Sequence, residues 1–321
     1  MTKERKNNHL FAAIALTILV IYTISLVIPM LWVVLASLKD PIDFELNPFG
    51  FNKSFVFTNY YNAFDAFKIE VFLDDGSKAV VNIWGMVINS LTYSIGCSII
   101  STLTNCVVAY VVARYSHYKF TKFIYGFVIF TMVMPIVGSL PSEIQMSKIL
   151  HFYDNMWGIF LMKVYFGGST FLIFYASFKG VAKEYAEAAR IDGASEFAIM
   201  IKIMFPLVGN TITTLLLLAF IGFWNDYYTP MIFLPSSPTI AYGLYRFQGN
   251  TGTESSGITV KLAACSILIV PIIALFIALR KKILTNISIG GVKGWKNQFI
   301  VWFWFHVLWP SLEFQKLMPN L

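Results

Sequence analysis

Glu187-Ala188-Ala189-Arg190-Ile191-Asp192-Gly193, followed by Ile203 and Pro206, is a polar island between two long apolar segments. Ala182, Ala186, Ala188 and Ala189 stand among Lys and Glu residues, all good helix formers. Gly193 offers the left-handed conformation that ends a helix. Ser195 suits the N-cap of a second helix, with Glu196 favourable in its first turn. Phe197, Ile201 and Met204 fall at helical spacing and predict one apolar stripe. Pro206 is the expected stop. The reading is therefore helix, glycine turn, helix, proline. Ala188 and Ala189 leave little side-chain bulk, so a partner can approach the backbone closely. Glu187 and Arg190, three apart, share a face and pair either with each other or with a partner's charges.

The flanking composition decides the setting of this loop. The chain has 321 residues, 57% apolar and 13% charged, against about 25% charged in an ordinary soluble domain. The mean hydropathy is +0.67. Most of the chain must therefore face lipid or other protein. The net charge of +7 is not gathered into a basic patch with interleaved aromatics, which argues against nucleic acid. Cys97, Cys106 and Cys265 lie in apolar segments without metal-ligand spacing, and the first two point to opposite sides of one helix. All three read as packing residues.

Six segments reach the roughly 20 apolar residues a bilayer-crossing helix needs: Leu10 to Leu38, Met86 to Ala113, Phe123 to Leu140, Trp157 to Phe178, Leu207 to Tyr227 and Leu262 to Leu279. The expected fold is an all-α polytopic helical bundle with six transmembrane helices. Lys3, Arg5, Lys6, Arg114, Lys119, Lys122, Lys179, Lys183 and Arg280 to Lys282 fall on one side. The positive-inside rule then gives N-in, C-in, and residues 179–206 are cytoplasmic. The first span, too long for a signal h-region, is expected to stay uncleaved.

The second span holds Asn89, Ser90, Gly96, Ser101, Thr102 and Asn105, small and polar residues that suit close helix packing or the lining of a pathway. Pro29, Pro135, Pro141 and Pro271 are expected to kink or end helices. In the outer segment 42–84, Asp74-Asp75-Gly76 is a turn signal between β-prone runs. The outer segment 230–260, rich in Pro, Gly, Ser and Thr, reads as a solvated connector or a surface for an external partner. Lys163, Asn225 and Asp226 are polar groups at span ends, where a site for a transported molecule or interfacial snorkelling both fit. The four histidines are scattered and no nucleotide-binding loop occurs. No catalytic site, metal or cofactor is expected.

E-A-A, three residues, G, nine residues, I, one residue, a hydrophobe and P is a cytoplasmic signature. The chain matches it at Glu187, Ala188, Ala189, Gly193, Ile203 and Pro206, with Phe205 where Leu is usual. In this it resembles the permease subunits of binding-protein-dependent ABC importers. Glu184 to Ser195, Phe223 to Pro230, Asn89-Ser90-Leu91, Ala109 to Arg114 and Gly290 to Gly294 look like the carbohydrate branch, most of all the maltose-type six-span permease. The resemblance implies an inner-membrane multi-pass subunit of an ATP-driven sugar importer. It implies a cytoplasmic ABC ATPase dimer, a second permease, an extracytoplasmic sugar-binding protein and membrane lipid as partners. It also implies that Glu187, Ala188, Ala189, Arg190, Asp192 and Gly193 couple to the ATPase. Asn89, Asn225 and Asp226 are the candidate pathway residues. A self-contained channel or secondary transporter, with 179–206 as a mere connector, is the alternative, and a membrane scaffold a third. The permease domain is expected over 1–294. The aromatic extension 295–321 is too short to span before Pro310 and reads as an interfacial segment or a non-native end.

Overall fold

The computed structural model describes residues 2–72, 76–134, 138–249 and 257–286. Pro135, Asp74, Asp75, Gly290 to Gly294 and the extension 295–321 lie outside them. The chain opens on a long helix, α1 (Thr2–Ser37), which runs unbroken through Pro29. Its apolar window faces outward along its whole length. A short helix α2 (Pro41–Leu46) and helix α3 (Thr58–Ala66) follow. At this end Trp32 donates from Nε1 to the Pro48 carbonyl at 3.0 Å. Lys39, buried, donates from Nζ to the Asn47 carbonyl at 2.6 Å.

Strands β1 (Ile69–Phe72) and β2 (Lys78–Val81) pair antiparallel. The hairpin sits where the Asp-Asp-Gly turn signal stood. The fold is thus mostly helical rather than all-α, because Ile69, Val71 and Val81 cover a core beside the bundle.

Helix α4 (Ile83–Arg114) is the central pillar. Ser90, Ser94, Ser98, Thr102 and Asn105 are all buried along it. A Cβ on Gly96 would meet the Phe160 ring at 2.3 Å. Small residues here admit a neighbouring helix, the packing reading of this span. Residues of α4 enter each of the three apolar clusters that make up the core. Cys97 and Cys106 are buried thiols that are not joined to each other.

Helix α5 (Lys119–Val133) ends before the third expected span does, and Leu140 instead begins α6 (Leu140–Ile149), with Pro141 in its first turn. There a proline's missing N–H costs nothing. The fourth expected span is two helices, α7 (Met156–Met162) and α8 (Gly168–Gly180). The break falls at Gly167 and Gly168, whose φ angles of 149° and 64° no helix accommodates. Backbone groups freed inside a bilayer need partners. Asn105 supplies them from α4: its Oδ1 accepts from Gly167 N at 2.9 Å, and its Nδ2 lies 3.4 Å from the Tyr165 carbonyl.

The polar island forms α9 (Glu184–Ile191). Next come α10 (Glu196–Ile199), a π-helical segment (Met200–Met204) and α11 (Phe205–Leu207). A 77° bend separates this run from α12 (Gly209–Trp224). Pro206 therefore marks a corner rather than a stop. In a regular helix its ring would press on the carbonyl four residues back. The wider π turn relieves that, with Phe205 N bonding to the Met200 carbonyl.

The segment after α12 is not a solvated connector. It forms α13 (Tyr228–Phe233) and α14 (Ile240–Gly249). Ile240, Tyr242 and Phe247 are buried, and a Cβ on Gly243 would strike Met86 and Phe67. Asn89 donates to the Pro238 carbonyl at 3.1 Å, and Ser90 Oγ accepts from Ile240 N at 2.7 Å. Helix α15 (Ile258–Asn286) runs through Pro271 and packs on α1.

Six uninterrupted spans are not present among the described residues. Two helices, Ala13–Ser37 and Ile83–Arg114, are individually long and apolar enough to cross a bilayer, and a third if the bent pair counts as one span. The Gly167–Gly168 pair breaks the fourth expected run, and the corner after Pro206 sets the start of the fifth.

Candidate functional site

The loop 179–206 is held to the bundle by its small and apolar residues. Ala186 and Ala189, three apart, are buried against the cluster that includes Tyr110 and Ala113 of α4 and Phe174 and Phe178 of α8. Two alanines facing inward let α9 seat closely on this cluster, as leucines would not. On the second limb Ile199 and Met204 are fully buried. The expected Phe197–Ile201–Met204 stripe therefore splits: Phe197 and Ile201 are exposed while Met204 points into the core. The π turn is the reason, since it shifts every residue after Met200 out of the 3.6-residue phase. Phe205, where leucine is usual, stands 6.5 Å from the Tyr110 ring and 6.1 Å from Phe178.

The turn between the limbs is fully capped. Gly193 has φ +79°. Its N–H bonds to the Arg190 carbonyl, and Ala194 N bonds to the Ala189 carbonyl, the pairing that ends a helix on a left-handed glycine. Ser195 Oγ accepts from Ala198 N at 3.3 Å and starts the second limb as the sequence indicates.

Arg190 does not pair with Glu187. It forks onto Glu196, with Nε to Oε1 at 2.5 Å and an Nη2 contact to Oε2 at 3.1 Å. Tyr115, at the end of α4, donates its hydroxyl to the same Oε2 at 2.8 Å. The two limbs are thus clamped to each other and to the pillar. The Arg190 fork, then the Tyr115 hydroxyl, holds the Glu196 carboxyl below the usual carboxylate range. Burial, then the bond to Glu196, pushes the Tyr115 hydroxyl up. Sequence spacing hid this clamp. Arg190 and Glu196 are six apart across a turn, a separation that meets on no single helix.

With the clamp made inside the loop, another set of groups is left facing out. Glu187, Ala188, Ile191 and Asp192 are exposed, Ile191 by 86% and Phe197 by 69%. The Glu187 carboxylate makes no hydrogen bond or ion pair among the described residues. The alanine pair is therefore divided: Ala189 seats the helix and Ala188 alone offers a bare outward patch.

A second feature lies among α4, α8 and the end of α12. A cavity of about 510 Å³ is walled by Ser101, Thr170, Gly222, Asn225, Asp226 and Tyr227, among others. Asn225 Nδ2 bonds to its own helix at the Ile221 carbonyl, which leaves its oxygen on the wall. Asp226 is engaged by the fold: Oδ2 accepts from the Tyr93 hydroxyl at 2.8 Å, and Oδ1 accepts from Thr229 N at 3.0 Å. Asn89, tied to Pro238, is not on this wall. The three expected pathway residues are thus not brought together. Lys163 lies with its Nζ 5.5 Å from the Phe223 ring. Among the described residues no group of three metal-ligating side chains occurs.

Residues 105–287 match the family model described as "Binding-protein-dependent transport system inner membrane component". The chain is 28% identical, over 66% of its length and 75% of the relative's, to the arabinooligosaccharides transport system permease protein AraQ of Halalkalibacterium halodurans. It is 23% identical to the diacetylchitobiose uptake system permease protein NgcG of Streptomyces coelicolor, over 87% and 88% of the two chains. The maltodextrin transport system permease protein MdxG of Bacillus subtilis is 32% identical over 56% of this chain and 66% of its own. Among solved structures, a chain from a bacterial ABC transporter involved in the import of the acidic polysaccharide alginate superposes with a TM-score of 0.68 at 21% identity. The match covers 86% of this chain and 97% of that one.

Proposed function

Because the chain belongs to the binding-protein-dependent transport system inner membrane components, and so is an inner-membrane permease subunit rather than an ATPase, we propose that it forms part of the pathway of an oligosaccharide importer. Its loop 179–206 then meets a separate cytoplasmic ATPase. The sugar cargo rests on the relatives, three of which move arabinooligosaccharides, diacetylchitobiose and maltodextrin. Its physical support is the 510 Å³ cavity, where the hydroxyls of Ser101 and Thr170, the Asn225 amide and the Tyr227 ring suit a polyol.

One observation carries the coupling reading. The loop is anchored by Ala186, Ala189, Ile199 and Met204, clamped by Arg190, Glu196 and Tyr115, and yet leaves Glu187 unpaired beside Ala188 and Ile191. A mere connector needs no such rigid seat. In this reading Glu187 meets a partner charge, Ala188 admits the partner's surface, and Asp192 and Gly193 shape the turn. Arg190 holds the limbs together. Force on the loop reaches α4 through the buried alanines and Tyr115, biasing a bistable packing between inward- and outward-facing states. The arrangement has six bilayer crossings, some of them broken, with both ends cytoplasmic and residues 1–294 as one domain. A paired ATPase dimer, a second permease and an extracytoplasmic sugar-binding protein complete the assembly.

The cavity gives the experiment. Gly222 is on its wall, and a Cβ there meets no atom within 4 Å. In vesicles holding the full complex, Gly222→Trp should lower oligosaccharide uptake at least tenfold and leave basal ATP hydrolysis within about twofold, since the indole would project into the space the sugar must occupy. Undiminished uptake would remove the cavity from the pathway.

A further inference from the structure

At the loop end of the bundle, two neighbouring cavities share Ser116 and Lys179 on their walls. The first, about 290 Å³, lies between the end of α4, the end of α8 and α9, with Arg114 and Lys183 among its lining groups. The second, about 240 Å³, lies beside α5 and is walled by Lys122, Tyr125 and Tyr175. The turn that presents Ser116 is fixed from below: Thr121 donates its hydroxyl to the Tyr115 carbonyl at 2.6 Å and lies 2.9 Å from that of Tyr118.

Besides Arg190, which is held by Glu196, four cations, Arg114, Lys122, Lys179 and Lys183, line this space. None of them is in any of the four ion pairs among the described residues. Arg114 contacts the Met204 sulfur at 3.8 Å and feels the Glu196 carboxylate at longer range, and Lys179 lies over the Tyr175 ring at 5.3 Å. Glu187 is the one carboxylate on either wall, and it lines the first cavity alone. The excess positive charge is created by folding. Segment 179–206 carries four basic and four acidic residues, and the imbalance arises when the α4–α5 turn brings Arg114 and Lys122 against it.

We infer that the Lys122–Lys179 end of this space binds a phosphate group, that of an anionic phospholipid headgroup. The ammonium groups and the Ser116 hydroxyl supply donors to phosphate oxygens. The Tyr125 and Tyr175 rings, 4.7 Å apart, and Val112 offer the amphipathic wall typical of the bilayer boundary. Free inorganic phosphate shares the anionic chemistry but has no use for that wall. The lipid would brace the α5–α8 contact directly behind α9 and so tune the seating of the loop.

The test is native mass spectrometry of the full importer complex, titrated with phosphatidylglycerol, phosphatidylcholine and inorganic phosphate. Wild-type complex should retain phosphatidylglycerol about 30-fold more tightly than the K122Q/K179Q double variant, as expected for two lysine contacts at a membrane surface. K122R/K179R should retain it, and phosphatidylcholine should bind both proteins equally. Equal phosphatidylglycerol retention by wild type and double variant overturns the site. Retention of inorganic phosphate in place of the lipid overturns the lipid assignment. If the double variant does not fold in phosphatidylcholine, the single variants, each expected to weaken binding about fivefold, make the same comparison. The readout needs neither ATP nor sugar, so its failure leaves the coupling reading untouched.

Discussion

Glu187→Lys should reduce transport by about 100-fold, the scale of losing a desolvated charge contact and placing a like charge there, with the chain still folded, inserted and assembled with its permease partner. Glu187 is exposed and has no partner of its own among the described residues. Its removal therefore leaves no buried group unsatisfied inside this chain. Melting temperature and membrane yield should stay at wild-type values while sugar-stimulated ATP hydrolysis falls to the unstimulated rate. Glu196→Gln gives the contrast. It breaks the fork from Arg190 and weakens the bond from Tyr115, so the loop loosens on its seat. As an exposed pair, that fork contributes at most about 1 kcal/mol to stability. A Glu187→Lys complex that transports normally would show that this carboxylate is only a solvated side chain.

Asn105→Leu should destabilise the chain by about 2–4 kcal/mol, the range for stranding one firmly bonded N–H and one weaker carbonyl partner away from water. Asn105 is buried in the last third of the pillar and answers the break between α7 and α8 from both of its amide atoms. The same amide also donates to the Ser101 carbonyl at 2.9 Å, so its rotamer is fixed. Thermal or denaturant unfolding in detergent measures the loss. A change under about 0.5 kcal/mol would mean that water or lipid satisfies Gly167, and that Asn105 is replaceable packing.

The loop was largely legible in the sequence because its signals are local. Gly193 at positive φ, the Ser195 cap and the alanine-rich first limb each depend on a few neighbouring residues. The β-prone runs that pair as a hairpin after α3 are likewise local in sequence. What escaped depends on partners distant in the chain or on departures from the regular helix. The Gly167–Gly168 break looked like helix because hydropathy averages over it, and its stabilising partner is 62 residues away. The π turn before Pro206 places Met204 in the core, out of phase with the exposed Phe197, which no 3.6-residue pattern reports. By composition segment 230–260 reads as a solvated connector or a surface for an external partner, yet within 230–249 Ile240 and Phe247 join a core with α4 and α15. Polarity alone groups Asn225 with Asp226. Asp226 serves the fold through Tyr93 and Thr229, and only Asn225 keeps a free acceptor on the cavity wall.

In the proposed function, segment 179–206 is half of an interface with a nucleotide-driven partner. Ala188 is its exposed small residue, and Cys97 and Cys106 are buried. An Ala188→Cys chain with Cys265→Ser therefore presents one reactive thiol at the loop. Oxidative cross-linking of the assembled complex to an ATPase subunit carrying a cysteine in its groove measures the contact directly. A cross-linked pair is expected whose yield changes when ATP is bound, together with blocked transport. No cross-link from position 188, with sugar crossing the membrane through the purified chain in the absence of ATP, would contradict the interface.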